Sequence, residues 1–239
     1  MPDIWDIFNN QSEKYDLLVS REDYEHNLIK EINIVIDLSG REVLEFGAGT
    51  GRLTFQLCQY AKKVLALEKT MAMMNTAVKN MKKLKIKNCE FRQADNLEKL
   101  QLNKKFDCAI EGWSFLAGIS SSPGGWKREN AINIINTEID NMRRNVKNSG
   151  KLFIIESLGT YVNKPSPWDV WIPVYDHLEK NLRFSKKIIR TDFKFANLED
   201  AVKLFPFFFG EEYKEKIIKE NATIIPEYTG IWFKDNKNL

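Results

Sequence analysis

The chain has 239 residues, 43% of them hydrophobic, and a formal net charge of +3; this fits one α/β domain with a sizeable core and excludes global disorder. Its 36 basic and 33 acidic residues are interspersed, so nothing points to a nucleic-acid surface. No run reaches the ~18 apolar residues of a membrane span, and no signal-peptide pattern is present.

Residues 1–38 read as a helical cap. Ile4, Trp5, Ile7 and Phe8 form a short apolar face, and Ser20-Arg21-Glu22-Asp23 has the S-x-x-D form of a capping box opening a helix through Tyr24, Leu28, Ile32 and Val35. A buried strand at 43–46 then breaks into a glycine turn, followed by a helix at about 51–61. A second strand, 63–67, ends at Glu68, and Thr70 caps a helix to about Leu84. Strand 88–92 leads to Asp95 and Asn96, and strand 106–110 stops at Glu111-Gly112-Trp113.

The Ser/Gly/Pro-rich stretch 117–125 is expected to be a mobile loop, and an amphipathic helix at about 127–147 precedes a fifth strand, 151–157. Alternation of strands and helices predicts a parallel, doubly wound sheet. Beyond 160 the pattern changes. Pro165, Pro167 and Pro173 bracket Trp168 and Trp171, with a helix near 174–181; 184–195 is strand-like, 198–209 helical and 224–233 strand-like. These late strands suit the edge of the same sheet, giving one domain over 1–239 with a core at 40–160. Cys58, Cys89 and Cys108 stand singly in apolar runs without metal-ligand spacing, as reduced thiols of a cytoplasmic protein with no bound metal do.

The glycine turn carries the chemistry. A dinucleotide fingerprint is G-x-G-x-x-G, whereas Gly47, Gly49 and Gly51 are spaced G-x-G-x-G and follow an acidic residue, Glu45. A carboxylate beside the turn repels a pyrophosphate and suits an amine, while open amides at a helix start suit an anion. The ligand that fits is therefore a zwitterion. Glu68 is positioned to accept both hydroxyls of a ribose, which a nicotinamide dinucleotide would also present. Asp95 is placed to accept from an adenine amine, with Asn96 beside it. All these acids fall at carboxyl ends of predicted strands, where open α/β sheets bind ligands.

VLEFGAGTGRL, LALEKT, ADN, FDCAIEGWSF and GKLFIIESLG, in that order over about 40–160, resemble the motif series of class I S-adenosylmethionine-dependent methyltransferases. The flanking YDLLVSREDY, RTDFKF, FFFGEE and IPEYTGIW are similar to a bacterial group of small methyltransferases. The resemblance implies a Rossmann-like, seven-stranded, mostly parallel sheet whose last strand is antiparallel. It implies S-adenosyl-L-methionine as cofactor and S-adenosyl-L-homocysteine as product, with Glu45, Gly47, Ala48, Gly49, Gly51 and Arg52 at the methionine end. Glu68 and Lys69 would then lie at the ribose, Asp95 and Asn96 at the adenine, and Glu111, Gly112 and Trp113 beside the transferred methyl.

No Asn-Pro-Pro-Tyr-like stretch follows the fourth strand, which favours a small-molecule acceptor over a nucleic-acid base. Alternatives are a nucleic-acid or protein methyltransferase, or a non-catalytic module that binds the cofactor. Tyr15, Arg21 and Tyr24 are candidates to reach over the cofactor. Glu111, Trp113, His26 and His177 are the candidates for catalysis, each balanced by an ordinary packing or surface role. Glu156 faces the same crevice edge. Phe205, Phe207, Phe208 and Phe209 read as core or as an acceptor pocket, and the Trp168–Trp171 segment as a lid or dimer contact. Ser114 reads as a turn residue, and Tyr228 and Trp232 as strand packing. The chain is expected to be a monomer or homodimer.

Overall fold

The computed structural model describes residues 3–122 and 124–238, with the backbone alone at 116, 120, 121 and 238. Three short helices, α1 (Ile4–Asn10), α2 (Ser12–Val19) and α3 (Asn27–Val35), precede strand β1 (Glu42–Phe46). The S-x-x-D pattern does not open α3. Ser20 closes α2, and Asp23, at φ +55°, turns the chain and accepts from the Asn27 and Leu28 amides at 2.8 and 3.1 Å. Asp23 does cap the helix, but from outside a turn that delays its start to Asn27.

The alternating region follows as α4 (Arg52–Leu57), β2 (Lys63–Glu68), α5 (Met71–Lys83), β3 (Cys89–Gln93), β4 (Phe106–Gly112), α6 (Phe115–Ser121), α7 (Arg128–Asn145) and β5 (Val146–Thr160). Helix α4 is shorter than expected because the Gln59 and Tyr60 amides turn back to the Gln56 and Leu57 carbonyls at 3.2 and 3.1 Å. Much of the expected loop at 117–125 lies in α6 instead, while Pro123 falls outside the described residues.

The remaining elements are α8 (Ile172–Asp176), β6 (Ser185–Arg190), β7 (Phe193–Lys194), α9 (Leu198–Phe209), α10 (Tyr213–Glu220), β8 (Ile224–Ile225) and β9 (Glu227–Asp235). Each expected late strand is divided. The first splits at Thr191-Asp192, and the second at Pro226, which has no amide to donate to a ladder.

Seven strands form one sheet in the order β3-β2-β1-β4-β5-β9-β6, and β7 pairs with β8 in a separate ribbon. Strands β1 to β5 pair in parallel, and β9 runs antiparallel to both β5 and β6. The order reverses between β1 and β4, which opens a crevice beyond their carboxyl ends. Side chains alternate across the sheet. Leu44, Phe46, Leu65, Leu67, Leu152 and Ile154 face a core that includes Ile135, Ile139 and Met142 of α7. Val43, Val64, Ala66, Ile110, Phe153 and Ile155 face the opposite core, with Leu28 and Ile32 of α3 and Leu53 and Leu57 of α4. A third cluster joins Leu18 to Phe193, Phe195, Phe205, Ile217 and Ile225, tying α9, α10 and the ribbon to α2. No described helix is long and apolar enough to cross a membrane.

Candidate functional site

The turn after β1 is held by two backbone hydrogen bonds, Ala48 N–H to the Leu67 carbonyl and Gly51 N–H to the Ala48 carbonyl, both 2.9 Å. Gly47 and Gly49 take φ +66° and +56°, which L side chains rarely adopt. Gly47 is doubly constrained, since a Cβ there would sit 2.3 Å from the Ser114 Cβ. The six-residue α4 is too short to lend a strong terminal field, so the turn's contribution is its shape.

This turn floors a cavity of about 860 Å³. Glu45, Gly47, Ala48, Gly49, Arg52, Glu68, Lys69, Asp95, Asn96, Gly112 and Trp113 line it, and Tyr15 joins them from α2. Glu68 closes the floor by accepting from the Gly49 and Thr70 amides at 2.8 and 2.7 Å, one on each carboxyl oxygen. Lys69 pairs with Asp95 at 2.7 Å, and Asp95 also accepts from the Leu97 amide at 3.0 Å.

Three buried polar atoms on lining residues lack a partner: Glu45 Oε2, Thr50 Oγ1 and Glu138 Oε1. Their residues are 2%, 1% and 1% exposed. Burial pushes the Glu45 carboxyl up to about 8. Two carboxyls and a hydroxyl left unsatisfied in one cavity are an incomplete hydrogen-bond set of the kind a bound ligand can complete.

Other expected site residues lie elsewhere. Glu111 does not line the cavity; its Oε1 turns back to accept from the Ser114 amide, the Ser114 hydroxyl and the Phe115 amide at 2.5, 2.7 and 3.1 Å. It thus fastens the start of α6, and burial raises its carboxyl to about 7. Gly51 sits outside the lining, where Phe55 packs over it. Arg21 pairs with Asp200 at 3.3 Å, and Lys194 lies over the Tyr24 ring at 4.9 Å; neither Arg21 nor Tyr24 lines this cavity. His26 is exposed ahead of α3, and His177 Nε2 meets the Asn136 side-chain oxygen at 2.8 Å, also outside both cavities.

A second cavity of about 1100 Å³ adjoins the first. Phe8, Tyr15, Val19, Arg52, Trp113 and Ala117 line both. The Arg52 guanidinium lies 3.7 Å above the Trp113 ring centroid and is paired with Glu22. This stack divides the two spaces, and Trp113 holds φ +56° with its amide bonded to the Ile155 carbonyl at 2.8 Å. Aromatic walls come from Trp168, Trp171, Phe193, Phe208 and Phe209, and the carboxyls from Glu22, Glu156 and Glu227. Phe205 is buried core, while Phe207 packs under Lys14 on another face. Trp168 is 51% exposed, but Trp171 is buried against Tyr175, which stacks on Trp232 at 4.6 Å.

Sequence reasoning missed Thr50, Glu22, Glu138 and Glu227. Glu138 lines the first cavity from α7, where it shares a buried stripe with Ile135, Ile139 and Met142. A polar residue on an apolar face was a usable signal. Asn141 and Asn145 gave the same one. Asn141 accepts from the Leu100 amide at 3.1 Å and donates to the Asn96 carbonyl at 2.7 Å, and Asn145 accepts from the Leu102 amide at 2.8 Å. Together they anchor the loop that carries Asp95 and Asn96.

A family model described as a methyltransferase domain matches residues 37–194. An uncharacterized methyltransferase of Anoxybacillus flavithermus is 31% identical over 115 residues, covering 46% of this chain and 52% of that protein, so the chain spans about half the length of this relative. Among solved structures, a SAM-dependent methyltransferase from Aquifex aeolicus superposes with TM-score 0.53 at 16% identity, covering 94% of this chain and 97% of that one. Precorrin 8w decarboxylase of Methanobacterium thermoautotrophicum gives 0.51 at 15% identity, with 87% and 88% covered. At these identities the structural likeness speaks to the fold alone.

Proposed function

Because the chain belongs to the methyltransferase domain family, we propose that it is an S-adenosylmethionine-dependent methyltransferase acting on a small-molecule acceptor. The observation that carries this reading is that two of the cavity's three unsatisfied atoms, Glu45 Oε2 and Thr50 Oγ1, belong to the end of β1 and the glycine turn. An amino-acid zwitterion completes both: its ammonium pairs with Glu45, and its carboxylate accepts from the Thr50 hydroxyl. A pyrophosphate brings no cation to pair with Glu45 and would disfavour its ionised form further. Glu68 retains carboxyl lone pairs for ribose hydroxyls beyond the two amides it already accepts. Asp95 would meet the adenine amine, with Asn96 alongside. The residues present fit the cofactor.

When bound, the cofactor supplies a methyl group on a positively charged sulfur, so the protein need form no covalent bond itself. Its own residues hold the partners in place and keep water out. Trp5, Phe8 and Tyr15 of the N-terminal helices cover the first cavity, and Trp113 and Arg52 wall it from the second. The second cavity would seat the acceptor. Its mostly acidic charged lining supports a small molecule over a phosphate backbone.

Calorimetry and thermal unfolding with S-adenosylhomocysteine test the reading. A ligand at a hundredfold excess over Kd stabilises the native state by about 2.7 kcal/mol. Absence of heat and of any melting shift at millimolar ligand would remove it.

A further inference from the structure

The second cavity holds a polar feature that cofactor binding does not use. Glu227 opens β9 opposite Thr160 of β5 and is 2% exposed. Its backbone is fixed on both sides, with its amide donating to Asp192 Oδ1 at 3.0 Å and its carbonyl accepting from the Thr191 amide at 3.0 Å. One carboxyl oxygen accepts from the Ser157 hydroxyl, and the other, Oε2, has no partner. The residue lines the cavity beside Glu156, which is 4% exposed. Glu22 is already paired with Arg52, the one basic residue among the cavity's described lining.

Resting on the methyltransferase reading, we propose that the acceptor is a primary or secondary amine on an apolar, ring-bearing body, and that Glu227 receives its proton. The ring-bearing body fits the walls formed by Trp168, Trp171, Phe208 and Phe209. An ammonium group supplies the donor that Glu227 Oε2 lacks and the countercharge that lets a buried carboxyl ionise, and indole faces favour it further. A carboxylate or phosphate acceptor finds only one basic side chain there, already paired with Glu22, and a hydroxyl offers a hydrogen bond but no countercharge.

The step balances with groups already named. The ammonium gives one proton to Glu227, and the freed nitrogen lone pair takes the methyl group. A nitrogen–carbon bond forms as the carbon–sulfur bond breaks, its electron pair staying on sulfur, and the positive charge passes to the methylated amine. Burial holds the Glu227 carboxyl up at about 8, against the pull of the Ser157 and Thr160 side chains and of Arg52. Its other charged or titratable neighbours are Asp192, Tyr175 and Tyr213, and Glu156 lines the same cavity. Below about pH 8 this carboxyl keeps its own proton, so the form that accepts one from the ammonium is gained as pH rises through 8.

The test is calorimetric titration of the full chain, loaded with S-adenosylhomocysteine, with phenethylamine, 2-phenylethanol and 3-phenylpropionate. These probes share an apolar body and differ in head group. The amine is expected to bind at least tenfold more tightly than the alcohol, with the acid giving no heat. Glu227→Gln is expected to weaken the amine at least tenfold while S-adenosylhomocysteine affinity stays within twofold. Equal binding of amine and alcohol, preference for the acid, no amine binding at 10 mM, or a Glu227→Gln variant that binds the amine normally each overturns the proposal. Should Glu227→Gln fail to fold, the head-group order of the unmodified chain decides alone. Failure of S-adenosylhomocysteine to bind instead overturns the cofactor reading, and the head-group order is then measured on the unloaded chain.

Discussion

The Arg52 guanidinium lies 3.7 Å above the Trp113 ring and is paired with Glu22, so one buried cation stands between the two cavities. The side chains of Arg52 and Glu22 are only 14% and 6% exposed, and breaking a buried pair by removing one charge typically costs about 3–5 kcal/mol. Glu22→Gln should therefore lower the urea-denaturation stability by about 3 kcal/mol. A Glu22→Gln, Arg52→Met double variant should recover much of that loss. If the double variant is no more stable than the single one, the cost lies outside the pair.

Glu68→Ala should weaken S-adenosylhomocysteine binding at least tenfold in a calorimetric titration. It removes the proposed ribose contact and frees the Gly49 and Thr70 amides that the carboxyl now ties down. Unchanged affinity would remove Glu68 from the site.

The two glycines of the turn should respond differently to alanine. At Gly47 a methyl group collides with Ser114 and the backbone is left-handed, whereas at Gly49 only the backbone objects, since nothing lies within 4 Å of a Cβ. Gly49→Ala should cost about 1 kcal/mol, and Gly47→Ala roughly 2–3 kcal/mol more with loss of ligand binding. Denaturation midpoints of the two variants check the order.

Stability should fall as pH rises from about 5 to 8. The Glu45 carboxyl moves up to about 8 in the folded chain from an ordinary 4.5, so the native state holds a proton that the unfolded chain has released. That contribution is complete below pH 4.5 and is lost as pH climbs through 8. Glu111 and Glu227, raised to about 7 and about 8, act with the same sign. Glu45→Gln should flatten the decline, which urea midpoints at pH 5, 6.5 and 8 would reveal. An unchanged slope would show that Glu45 does not retain its proton.

Asn141→Leu should reach the cofactor site from a distance. It strips partners from the Leu100 amide and from the Asn96 and Glu98 carbonyls, each worth about 1–3 kcal/mol if left buried and unsatisfied. The expected result is lower stability together with weaker S-adenosylhomocysteine binding, because the loosened loop carries Asp95 and Asn96. Lower stability with normal affinity would separate the loop anchor from the site.

The sequence by itself determined the parallel core, the turn and the acids that follow successive strands. In such a sheet the ends of parallel strands share one crevice, so Glu45, Glu68 and Asp95 were legible from chain order and strand periodicity alone. The edge position of the late strands was legible for the same reason, although Pro226 and the Thr191-Asp192 break were not resolved as divisions. Tertiary structure decided what strand order cannot encode, namely where a side chain goes once its residue has reached the crevice. Glu111 stands at the expected strand end, yet the amides opening α6 draw its carboxyl away from the cavity. Glu22 and Glu227, far apart in sequence, enter the second cavity only because the turn after α2 and the start of β9 both approach Arg52. Burial next to partners distant in the chain, which no local pattern records, selects the carboxyls that face the second cavity.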